Sequence, residues 1–71
     1  MSHAKETLKA EHDGRRFRIV HDAQVGFYIY VYDGARCTHD YLQDTLDHAR
    51  EFAREEFGVP VQSWSHEHTA A

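Results

Sequence analysis

The sequence predicts a small α+β protein: an antiparallel sheet of three or four strands, ordered β-β-β-α-β along the chain, with one amphipathic helix on one face. Three observations carry that expectation. Gly26 to Gly34 (GFYIYVYDG) alternates two kinds of side chain, with Phe27, Ile29 and Val31 on one side and Tyr28, Tyr30 and Tyr32 on the other. Successive strand residues face opposite sides of a sheet, so this run is a strand with two different faces. Asp13-Gly14 is a hairpin signal placed just before a second alternating run. Finally, Leu42, Leu46, Ala49, Ala53 and Phe57 recur at spacings of four and three, and the stripe stops at Gly58 and Pro60.

The first segment, Glu6 to Glu11, fits either a helical turn or a short edge strand with Leu8 and Ala10 inward, and the Asp-Gly turn that follows it favours the strand. Arg16 to Asp22 is the second strand. Phe17, Ile19 and His21 share one face, and Arg16, Arg18 and Val20 the other. Ala23 to Gly26 has the length and the glycine of a hairpin loop, which pairs this strand with the tyrosine strand. Ala35 to His39 is expected to cross over to the helix. Asp40 offers an N-cap, Gln43 stands three residues on where a capping box needs it, and Asp44 and Asp47 suit the positive end of the helix dipole. Gly58 is the expected left-handed C′ residue. Val61 to His66 alternates weakly and reads as a last short strand. The covered sheet face is then Phe17, Ile19, Phe27, Ile29 and Val31, beneath Leu42, Leu46, Phe52 and Phe57. The tyrosine face stays open, as antiparallel sheets tolerate.

At 71 residues the chain is expected to be one domain, 1–71, with the polar ends 1–5 and 67–71 as disordered tails. Its large apolar residues suffice for one sheet face and one helix, and leave no room for an enclosed substrate cavity. Self-association is a natural supplement to so thin a core. Eight basic residues against twelve acidic give a formal charge of −4, the wrong sign for a typical nucleic-acid binder. The single cysteine, Cys37, excludes an intramolecular disulfide framework. Neither a signal-peptide apolar region nor a membrane-length apolar run is visible, so a cytoplasmic protein without membrane contact is expected.

Two groups of residues invite a functional reading. Tyr28, Tyr30 and Tyr32, beside Arg16 and Arg18 on the neighbouring strand, would form an aromatic and cationic platform; Trp64 reads first as a core or rim residue sealing the sheet edge and second as a further anchor for a partner. Tyr, Trp and Arg are enriched where proteins dock on one another, which makes a protein partner, or a second copy of this chain, the expected ligand. Single-stranded nucleic acid stacking on the same rings is the alternative. The bland reading is that Tyr–Arg pairs merely stabilise a wet sheet face. The second group is Cys37-x-His39 and His66-x-His68. A helix of ~18 residues followed by a returning strand would bring both pairs to one end, where their ligand types suit zinc. Scattered surface histidines are the plainer account. Four of the seven histidines have a neighbouring Asp, but adjacent residues do not face each other, and only Asp44 with His48 has helical spacing. No nucleophile elbow or phosphate loop accompanies them, so no enzyme is expected.

Overall fold

The hairpins follow from the residues at their tips. In the computed structural model, which describes residues 7–66, β1 (Thr7–His12) turns through Asp13-Gly14 into β2 (Arg15–Asp22). Asp13 and Gly14 have φ of +54° and +80°, the pair of positive angles that a two-residue type I′ hairpin requires. β2 passes into β3 (Gly26–Asp33) through Ala23, Gln24 and Val25. There the Asp22 carboxylate accepts from the Gln24 amide at 2.9 Å, while the Val25 amide donates to the Asp22 carbonyl at 3.2 Å. Gly26 has φ +135°, and a Cβ there would lie 2.5 Å from the Gln43 carbonyl oxygen, so only glycine fits.

The main correction falls on residues 35–44. They neither cross over nor begin the helix: Arg36–Gln43 is a fourth strand, β4, antiparallel to β3. Asp33 pairs with Arg36 around the two-residue loop Gly34-Ala35, and Gly34 has φ +65° at the first loop position, where a II′-type turn needs glycine. The chain therefore reverses at once. Asp40 is a mid-strand residue, and Gln43 caps nothing at a helix start. The true N-cap is Thr45, whose hydroxyl accepts from the His48 amide at 3.1 Å. Helix α1 runs Leu46–Phe57, twelve residues, with Asp47 in its first turn. Asp44 precedes the cap, so Asp44 and His48 are not a helical pair. At the far end Gly58 (φ +77°) closes the helix as expected, its amide donating to Arg54 and that of Val59 to Ala53.

A second correction concerns residues 61–66. Val61–Ser63 is a single 3₁₀ turn after Pro60, and only Ser65–His66 is strand, β5. Among the described residues the sheet thus has five strands, in the order β4-β3-β2-β1-β5, all neighbours antiparallel, with one helix packed on one face. The ends 1–5 and 67–71, expected as tails, lie outside the described residues.

Leu8, Ala10, Phe17, Ile19, Ile29 and Val31 supply the sheet side of the core. Ala49 and Ala53, fully buried, supply the helix side, and Val59 seals the helix end. Two alanines at the contact leave no bulk between helix and sheet, so the large residues Leu46, Phe52 and Phe57 pack at the flanks, half-buried. Phe57 leans on Phe17 at 5.4 Å between ring centroids, and Tyr41 of β4 meets Phe52 at 4.6 Å. Leu42 is absent from this core. It sits on β4 with its side chain 47% exposed, on the other side of the sheet.

Candidate functional site

The tyrosine face is laid out by the strand register, because directly paired residues share a face. Three rows result. Tyr28 lies between Leu42 on β4 and Val20 on β2, with Thr7 of β1 beyond. Tyr30 lies between Asp40 and Arg18, with Lys9 beyond. Tyr32 lies between Cys37 and Arg16, with Glu11 beyond. Helix α1 covers the opposite face, so the expected assignment of the two faces of β3 is what the structure has.

Within this face the rings are ordered by their neighbours. Tyr28 and Tyr30 stack with centroids 5.9 Å apart and planes 20° from parallel. The Arg16 guanidinium lies over Tyr32, 5.4 Å from the ring centroid, and is held there by donating to the Gly34 carbonyl at 2.9 Å. The Tyr30 phenol sits at the centre, half-buried. Burial first, and then the negative charge available on Tyr28, Tyr32, Asp40 and Cys37, push its pKa above the ordinary tyrosine value.

Trp64 does not join this face. It packs on the helix side against both parts of the core, edge-on to Phe17 at 6.4 Å. Its indole nitrogen is buried without a hydrogen-bond partner among the described residues. Arg16, Arg18, Tyr28, Tyr30 and Tyr32 do come together. Asp40, Leu42, Lys9 and Val20 complete the surface, although none of them stands out as a site residue in the sequence. The signal for two of them was present: Asp33-Gly34 repeats the dipeptide at Asp13-Gly14. A hairpin there puts Asp40 and Leu42 beside Tyr30 and Tyr28.

The expected metal ligands are dispersed by two features. β4 carries a bulge at Thr38, so Cys37 pairs with Tyr32 while His39 pairs with Val31. The bulge turns the i, i+2 pair to opposite faces: Cys37 joins the tyrosines, and His39 stacks on Tyr41 and meets Phe57 at 5.7 Å on the helix side. His66 lies on β5, at the other edge of the sheet from β4. Four strand spacings of ~4.8 Å put those edges roughly 19 Å apart, too far for Cys37, His39 and His66 to share an ion. The twelve-residue helix removes the long span that the convergence depended on. His68 lies outside the described residues, and no group of three or more metal-ligating side chains occurs among those described.

No helix of the described residues is long and apolar enough to cross a membrane. Comparison of the chain with protein-family models, with curated proteins and with solved structures finds no match. The functional reading therefore rests on the geometry of the surface.

Proposed function

We propose that this protein is a small, non-enzymatic, cytoplasmic interaction module whose working surface is the Tyr28/Tyr30/Tyr32 face with Arg16 and Arg18. The observation that carries the reading is the composition of the open sheet face. Three tyrosines, two arginines, Val20 and a Leu42 left 47% exposed form one contiguous surface on the side away from the helix. Aromatic, Arg and apolar side chains together are what the desolvated centres of protein interfaces use. The formal charge of −4 over the whole chain is the wrong sign for a phosphate-binding protein, which favours a protein partner over a nucleic acid. A cytoplasmic setting is supported by the lone, exposed Cys37.

Site-specific photo-crosslinking tests this. A benzophenone side chain in place of Tyr30 should give a discrete protein adduct in the producing cell, and the same group at Glu55, on the outer helix surface, should give none. Adducts of equal yield at both positions, or a nucleic-acid adduct at position 30, would overturn the reading.

A further inference from the structure

The two halves of the tyrosine face differ in charge. The β4 side carries Asp40, while the β2–β1 side carries Arg16, Arg18 and Lys9 against a single Glu11. Asp40 and Lys9 lie in one row but three strand spacings apart, ~14 Å, so they do not pair within one copy. Resting on the reading of this face as a docking surface, we infer that its occupant is a second copy of the chain. The two copies pack face to face about a two-fold axis that runs along the strands between β2 and β3.

That axis exchanges the halves. Asp40 of one copy comes over Lys9 of the second, Tyr30 over Arg18, Tyr32 over Arg16, and Tyr28 over Val20, each contact occurring twice as an isologous interface demands. The rows are preserved, so acid meets base at Asp40 and Lys9, Val20 meets the Tyr28 ring, and Arg18 comes to the Tyr30 ring of the opposite copy, while Leu42 lies over Thr7, Cys37 over Glu11, and Arg16 keeps its place on its own Tyr32. The competing two-fold, running across the strands through the Tyr30 row, sets Asp40 against Asp40 and Arg18 against Arg18. Like charges facing each other disfavour it. Slight rotation of the two strand directions about the first axis gives the aligned packing usual for stacked sheets.

Edge-to-edge pairing through β4 is the other way to build a dimer from a sheet. The Thr38 bulge interrupts that edge, and the Thr38 hydroxyl turns back to the Val31 carbonyl at 3.3 Å, so a continuous ladder is blocked. Four strands at ~4.8 Å and eight-residue strands at ~3.4 Å per residue present roughly 500 Å² per copy. The total of about 1,000 Å² is at the low end of specific interfaces, where association is weak and reversible, so a range of about 20 μM to about 1 mM is the one to sample.

Sedimentation equilibrium over a concentration series, with circular dichroism to confirm folding, tests the arrangement. The wild-type chain should shift from monomer to dimer across the stated range. Asp40→Lys and Lys9→Asp, both at exposed positions, should each weaken the dimer at least about tenfold, and the double exchange should restore it to within about threefold. A wild-type chain that stays monomeric throughout overturns the inference, as does a dimer indifferent to both single exchanges or a double variant no better than the singles. The docking reading fails separately. If position 30 crosslinks a different protein while the chain stays monomeric, the face docks another partner. If position 30 gives nucleic acid, or nothing beyond what Glu55 gives, the face is not a protein-docking surface at all.

Discussion

Tyr30 occupies the middle of the open face with Asp40 on one side and Arg18 on the other, and its ionisation records that position. Its folded pKa lies above the ordinary value, so the folded chain holds the phenolic proton more tightly than the unfolded chain does. The associated stability is complete below the ordinary tyrosine pKa of about 10 and is lost as pH rises through the raised folded value. Urea unfolding midpoints should therefore fall through that alkaline range, and Tyr30→Phe should flatten part of the fall. An identical alkaline slope in both proteins would mean that Tyr30 is solvated like a free phenol. Gly26 makes a second single-residue test. With φ at +135°, and with any added Cβ only 2.5 Å from the Gln43 carbonyl oxygen, Gly26→Ala must strain the β3–β4 pairing. Loss of about 1–3 kcal/mol is expected by chemical denaturation, and an unchanged midpoint would contradict the close approach.

Among the elements, β4 and the start of α1 show where local sequence signals compete. The Asp13-Gly14 hairpin and the alternation of β2 and β3 were legible because each strand has one clean apolar face. Arg36–Gln43 has no such face: it is an edge strand whose inward side carries His39 and Tyr41 and whose outward side carries Cys37, Asp40 and Leu42. Asp40-x-x-Gln43 also imitates a capping box, and Leu42 stands four residues before Leu46, so the helical period extends falsely backward by one turn. Tertiary pairing to β3 decides the matter, because the Gly34-Ala35 turn delivers the chain straight onto that edge. The consequence is testable on two residues. Thr45→Ala should cost about 1 kcal/mol and fray the helix, whereas Asp40→Ala should leave helicity unchanged. The reverse pattern in urea denaturation and far-ultraviolet circular dichroism would restore the longer helix. On the helix itself, Arg54 lowers the pKa of the exposed Glu51 by hydrogen bonding and charge, a contribution present above the ordinary carboxylate range and lost as pH falls through the lowered value.

At the level of the whole molecule, one face of the sheet is covered by the helix and the other is open. The first half of that division could be read from the chain, since period-two and period-3.6 apolar patterns point at each other. The second half was legible for Tyr28, Tyr30 and Tyr32 but not for Asp40, Leu42 or Lys9, whose membership depends on register rather than on local pattern. Trp64 takes the plainer of its two readings: the 3₁₀ turn at Val61–Ser63 brings it against Phe17 on the helix side as a packing residue, away from the tyrosine face. His66 was misplaced, because the position of β5 beside β1 is a property of the sheet order alone. Whether the tyrosine face meets a second copy is the central question, and a dilution series followed by amide chemical shifts addresses it without altering a residue. Between about 1 mM and about 20 μM the amides of Arg16, Arg18, Tyr28, Tyr30, Tyr32 and Asp40 should move together along one binding curve while those of Leu46–Phe57 stay still. Shifts that fall on α1 instead, or spectra that do not change with concentration, would contradict a dimer built on the tyrosine face.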